Sequence, residues 1–277
     1  MSSPLESTAR SVVLEAYRRY HDPSYISPDP LEIVLEYPEP DDREVAALIC
    51  ASLALGRVRS VLAACREVLG RIPGPPGSLR EMDLPRLEEC FDGFVYRFFG
   101  REEMAHFLCA IGRTLRTYGS LQAAFRSHLA PGDSTVLSAL AGFSRELSRE
   151  ASGIHGLLLA QVERGSASKR WHLFLRWMVR RDDVDPGGWD GVPPSALLVP
   201  MDTHMHRLCK ELGILRRKSA DEKAAVEATE FFRAMAPQDP ARFDFSLTRM
   251  GIHDRARAES RLWLPSSSPG VTTPRHR

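Results

Sequence analysis

No two of the five cysteines (Cys50, Cys65, Cys90, Cys109, Cys209) form a CxxC pair. That leaves out a zinc site or an iron–sulfur cluster. Their odd number and their place in apolar stretches suit reduced, buried thiols of a reducing compartment. No apolar run is long enough to span a bilayer. The N-terminus, MSSPLESTARSVV, carries an acidic residue and lacks the apolar core of a signal peptide. Nor is there charge of one sign to spare, since 37 Lys and Arg stand against 36 Asp and Glu. That balance neither requires nor forbids nucleic acid, because phosphate is bound by a local basic stripe. Convincing alternation of apolar and polar residues is missing, so no strand is expected, and there is no repeat of fixed period. The expectation is a soluble, cytoplasmic, mainly α protein with no metal, no cofactor and no membrane contact, and a monomer by default.

What the chain does have is helical periodicity. Ser7 to Tyr20 reads as a first helix, followed by a Pro- and Asp-rich connector from His21 to Pro40 with room for one helical turn. Asp41 and Asp42 are N-cap candidates for the run Val45 to Leu55, which is apolar on nearly every side, as a central buried helix would be. Val58, Val61, Leu62, Cys65, Val68 and Leu69 mark an amphipathic helix after Gly56-Arg57. Further helices are expected at Leu84–Cys90, Arg101–Tyr118, Ser120–Leu129 and Thr135–Leu147. LLLAQVER reads as a short helix halted by Gly165, and GSAS leads straight into Lys169-Arg170-Trp171 and another helix. So tight a turn between two helices is a helix–hairpin–helix. After the long loop RRDDVDPGGWDGVPPSALL, Asp202 is placed as an N-cap, with Gly213 closing that helix. Asp221 to Met235 supplies the next helix. Asp239-Pro240 can start the last, which Gly251 would end, and the chain from 255 to 277 is expected to be disordered.

In this order the signals resemble those of the helix-hairpin-helix DNA glycosylase superfamily, the 8-oxoguanine glycosylases most closely. LICASLAL followed by GRVRSVLAACREVL is similar to its opening helix pair, and GFVYRFF with AIGRTLRTYGSLQAAF to its next helices. GSASKRWHLFLRW stands where that superfamily has its hairpin and catalytic lysine, and VPMDTHMHRL where it has its catalytic aspartate. More narrowly, KRWHLFLRWMVR, PPSALLVPMDTHMHRL and DFSLTRMG resemble a widespread bacterial family recorded only as a domain of unknown function. The wider resemblance implies a two-lobed helical bundle forming one domain over residues 1–254. One lobe would span about 41–150, the other about 151–254 with the N-terminal helix. This chain departs from that pattern in three places: Ala167 replaces the hairpin's second glycine, Asp182 to Val192 are extra, and the polar wedge expected at Leu53 to Leu55 is missing.

The resemblance implies base excision from double-stranded DNA carrying a damaged base, an oxidised purine first among them, by a nucleoid-associated enzyme. Breaking an N-glycosidic bond builds positive charge on the sugar, so a fixed carboxylate stabilises the transition state, which is the role implied for Asp202. A lysine amine can displace the base, form a Schiff base and go on to cut the strand, which is the role implied for Lys169. That amine must be neutral, about three units below the free lysine value, and Arg170, a helix N-terminus and partial burial would push in that direction. Gly165, Ser166, Ala167, Ser168 and His204 would grip phosphate. Arg57 is the nearest wedge candidate and Arg97 a further DNA-binding one, while Phe94, Trp171 and His172 are candidates for the base pocket. Two alternatives stay open: a hydrolytic glycosylase in which Lys169 only positions the backbone, and a binding module that has lost base excision.

Overall fold

The computed structural model describes residues 4–151, 158, 159, 162 and 165–262, and within them it is mainly helical. Most of LLLAQVER, the expected first hairpin helix, and the tail beyond residue 262 lie outside the described residues.

At the centre is α3, Pro40–Leu53, in which every residue from Glu44 to Leu53 is buried. A helix apolar on all sides must be wrapped on all sides. It packs against α2 (Leu31–Val34), α4 (Val58–Arg71) and α9 (Lys169–Val179). The helix starts one residue before the expected caps, at Pro40, whose fixed φ and missing N–H suit a first turn. Asp41 and Asp42 instead dock the short turn Pro76–Glu81, through Arg80 at 3.1 Å and the Gly77 N–H at 2.8 Å.

A second assembly gathers around α6, Arg101–Tyr118, whose buried face meets α5 (Leu84–Cys90), α7 (Leu121–Arg126) and α8 (Leu137–Glu150). A third joins α1 (Pro4–Tyr20) and α10 (Thr203–Glu211) to α12 (Asp244–Leu262), while α11 (Glu222–Arg233) packs on the turn Pro240–Phe243. One continuous apolar core runs through all of them.

Two sequence expectations need correcting, and one departure from the superfamily's pattern has a structural use. GFVYRFF is not helical: Val95–Tyr96 (β1) and Phe99–Gly100 (β2) pair as a small antiparallel hairpin, with Arg97 at φ 57° in its turn. The helix waits until Arg101, where Glu103 reaches back to the Gly100 N–H at 2.9 Å and caps it. Gly251 does not end the last helix, which runs on to Leu262. Finally, Asp182 to Val192 is no idle insertion. Trp189 sits edge-on to Phe174 at 5.1 Å and beside Phe125 at 5.5 Å, and its indole N–H donates to Glu44 at 2.9 Å. Asp185, wholly buried, takes hydrogen bonds from Arg176 (3.2 Å) and Arg180, and Arg180 also binds Asp182 and Asp239. The segment thereby clasps the C-terminal half of α9.

Candidate active site

Lys169 is the first residue of α9 and Asp202 the N-cap of α10, and the two side chains meet at 3.1 Å. Each is placed by local backbone chemistry. Gly165 at φ 68° and Ser168 at φ 46° turn the chain sharply into α9. The turn is pinned by the Glu222 N–H donating to the Gly165 carbonyl and by pairing of Ser166 with Asp221. Positive φ falls on Gly165 and Ser168 and not on Ala167, so the absent second glycine leaves no strained position at Ala167. Asp202 follows Pro200 and Met201 in extended backbone, and its Oδ1 accepts the N–H groups of His204 (2.9 Å) and Met205 (2.8 Å). Those bonds leave Oδ2 for Lys169. Burial opposes the charge on Asp202, but Lys169 and the Met205 N–H outweigh it and hold its carboxyl below the usual carboxylate value.

The pair opens onto a cavity of about 260 Å³. Three ion pairs line it: Lys169–Asp202, Arg176–Asp244 and Arg249–Asp29, the last at 2.5 Å. Only the first presents both partners to solvent, at 37 and 25% side-chain exposure, whereas the Arg176 and Asp244 side chains are 4 and 6% exposed. Burial raises the Asp244 carboxyl to about 6 against its Arg176 partner, and that carboxyl also feels the charges of Asp202 and Lys169. Leu173, Phe245, Val61 and Ala54 give the cavity an apolar side, and Val58 and Ile252, both substantially exposed, also line it. Apolar walls with a few convergent polar groups are the usual make-up of a small-molecule site.

Of the other residues singled out from sequence, several stand apart from this cavity. Phe94 is buried against Phe91, with the Arg71 guanidinium over its ring, in the α6 assembly. Trp171 packs edge-on to Phe143, and His172 is buried in α9. None of the three lines the cavity. The faces they occupy are core faces, and a core face and a cavity wall have the same periodicity. Arg170 donates to the Ser52 carbonyl at 2.6 Å, and burial lowers its guanidinium to about 10. Ser166 and Gly165 are exposed, Ala167 and Ser168 are buried, and the Ser168 N–H donates to Ser166 Oγ within the turn. His204 is exposed in the first turn of α10, on the side that also carries Arg207 and Lys210. Arg57 is exposed between the cavity-lining residues Gly56 and Val58.

Arg97 acquires a specific task. Its guanidinium donates to the Leu55 carbonyl at 3.0 Å, while Tyr96 Oη binds the same carbonyl at 2.7 Å. Together they hold the turn between α3 and α4 that forms one lip of the cavity. At Gly56, φ is +105° and an added Cβ would lie 2.2 Å from Arg97 Nη1. We expect Gly56→Ala to cost about 1–3 kcal/mol through the left-handed backbone and the displaced Arg97. Gly251→Ala, in the interior of α12 with nothing within 4 Å of its Cβ, should gain about 0.5–1 kcal/mol. Paired thermal melts check both signs.

His172 carries a pH prediction. Burial lowers its imidazole from 6.5 to about 4, and its Nδ1 has no partner among the described residues. Between those values the unfolded chain takes up a proton that the folded one refuses. The stability is therefore complete above 6.5 and is lost as pH falls through the window. At pH 5 the imidazole should account for a loss of about 2 kcal/mol. Raised carboxyls such as Asp244 shift stability the other way over the same window, but equally in the wild type and in His172→Leu. Denaturant melts at pH 7 and pH 5 should therefore show the change in stability of His172→Leu more favourable than that of the wild type by about 2 kcal/mol.

Phe245, Thr248, Arg249, Asp29 and Asp244 were missed from sequence. The first four come from segments about 200 residues apart, and only the periodicity of DFSLTRMG hinted that one of them faces inward. Among the described residues no group of three or more His, Cys, Asp or Glu could hold a metal ion, and no helix is long and apolar enough to cross a membrane.

The fold and the site define a mainly helical protein with an accessible lysine–aspartate pair at the mouth of a small, charge-balanced cavity. Residues 29–253, most of the chain, match the family described as protein of unknown function (DUF2400), and the chain belongs to that family. No curated protein and no solved structure matches it.

Proposed function

We propose that this protein is a DNA glycosylase with lyase activity, removing a damaged base, an oxidised purine first among the candidates, from duplex DNA. The observation that carries the reading is the convergence of Lys169 and Asp202, 33 residues apart in sequence, at 3.1 Å beside a cavity. In this reading the base leaves the stack and enters the cavity, which damaged or mismatched pairs make cheaper. The Lys169 amine attacks the anomeric carbon as the C1′–N bond breaks. The base departs with the bonding electrons and is protonated. The amine, neutral for the attack, then loses a proton as the C1′–O4′ bond of the sugar ring breaks, O4′ takes up a proton, and a C1′=N Schiff base forms. Asp202, held ionised, faces the positive charge that builds on the sugar. Elimination at the 3′ phosphate then cuts the strand.

The surroundings suit a phosphate backbone. Arg57 and Arg59 are exposed near the α3–α4 lip, and His204, Arg207, Lys210, Arg216 and Lys218 are exposed along α10 and the loop after it. Beside the lip, Phe98 is 70% exposed with the Arg97 guanidinium over its ring. An exposed aromatic ring next to cations is a platform on which bases stack.

The experiment is borohydride trapping on duplexes carrying 8-oxoguanine, uracil or an abasic site. A covalent adduct with the abasic duplex and with at least one damaged base supports the reading. Base release without an adduct replaces it with the hydrolytic glycosylase. Neither adduct nor base release, with DNA binding intact, leaves a binding module.

A further inference from the structure

One face of α12 is turned into the cavity. Phe245, Thr248, Arg249 and Ile252, at i, i+3, i+4 and i+7, all line it. The face offers an aromatic ring, a hydroxyl, a guanidinium and an aliphatic edge. Arg249 is 5% exposed; its Nη2 binds Asp29 at 2.5 Å and the Ile26 carbonyl at 3.3 Å, yet its Nε–H has no acceptor among the described residues. A buried donor left unpaired costs free energy that a ligand acceptor would recover. The Arg249 guanidinium lies 4.9 Å, and that of Arg176 5.9 Å, from the centroid of the Phe245 ring, so this aromatic wall carries positive charge. The three cavity carboxylates are each engaged by a cation. Among the described residues the hydrogen-bonding capacity left over includes an arginine N–H, which can only donate, and the Thr248 hydroxyl, which can donate or accept.

We propose that this face of α12 reads the extruded base and selects a keto base, one presenting a ring carbonyl oxygen to Arg249 and Thr248 while its ring lies along Phe245. An amino base of the adenine type would bring an N–H2 donor against the Arg249 N–H and leave it unpaired. A cavity of about 260 Å³ lies just below the range of drug-sized sites, which suits a single base. This inference rests on the glycosylase reading for the delivery of the base, but not on the chemistry of Lys169.

The test uses the Lys169→Gln protein, which binds without consuming its substrate. Affinities are measured by anisotropy for duplexes differing in one mispaired base, hypoxanthine against adenine and 8-oxoguanine against 8-oxoadenine. The keto member of at least one pair should bind about tenfold more tightly. Adding Arg249→Leu should bring that ratio close to one. Because Leu strands Asp29, Arg249→Lys is the second variant: it keeps a cation for Asp29 and loses Nε–H, so the ratio should again collapse, with the melting temperature nearly held. Equal affinities for both members of both pairs, or a preference that survives Arg249→Lys, would overturn the proposal. A keto preference without any borohydride adduct in the wild type would remove the chemistry and leave the base reader. An adduct without the preference would do the reverse.

Discussion

Lys169→Gln should form no borohydride adduct on an abasic duplex, whereas Asp202→Asn should still form it, about a hundred- to a thousandfold more slowly in single-turnover assays. The asymmetry follows from the roles proposed above for the two side chains. The amine supplies the atom that bonds to the sugar, so no other group replaces it. The carboxylate only stabilises charge in the transition state, and removing one such group typically costs that much in rate. Both variants should fold. The pair is partly exposed, and ion pairs in such positions contribute only about 0–1 kcal/mol to stability. Circular dichroism melts within a few degrees of wild type would establish that the kinetic losses belong to chemistry. Equal, small losses in the two variants would instead mark the pair as a salt bridge that happens to border a cavity.

The largest stability effect is expected at Asp185. Its carboxylate, with no solvent exposure, joins Arg176 and Arg180, and through them Asp244, Asp239, Asp182 and His21. Burial pushes the Asp185 carboxyl above the usual range even with two guanidiniums beside it. Taking away one member of such a cluster strands buried charge, so Asp185→Ala should cost about 3–5 kcal/mol. For a protein of this size that lowers the melting temperature by on the order of 10 °C. Arg176 also lines the cavity, so the loss should reach the site as well: Asp185→Ala should weaken adduct formation even at temperatures where the variant is folded. A melt unchanged from wild type would mean the clasp over α9 contributes little.

Much of the helical order was legible because the apolar residues repeat at helical spacing and the caps use familiar side chains. Asp202 and Asp221 each cap the helix that follows, and Gly213 takes a left-handed φ of 71° just after α10. The site was half legible. Lys169 and Asp202 stand at helix starts, where local sequence decides geometry, and both could be placed from their own neighbours. The cavity walls could not, because Asp29 and Arg249 meet across 220 residues and nothing local to either says so. Phe94, Trp171 and His172 do not line the cavity, and sequence could not say so for a related reason: an inward-facing aromatic is equally at home in a core, and here each one is buried. The segment 182–192 was extra only beside the superfamily's pattern; its packing was not legible because its partners, Glu44, Arg176 and Arg180, are charged residues that the fold buries. The hairpin at Val95–Gly100 was missed because its strands are two residues each, too short for alternation to show.

The central claim is that one amine does the chemistry, and the composition makes it easy to test. The chain has four lysines, Lys169, Lys210, Lys218 and Lys223. After borohydride trapping on an abasic duplex, digestion and mass spectrometry should find the sugar remnant on Lys169 alone. A remnant on one of the other three, or none on any lysine while the strand is still cut, would contradict the account.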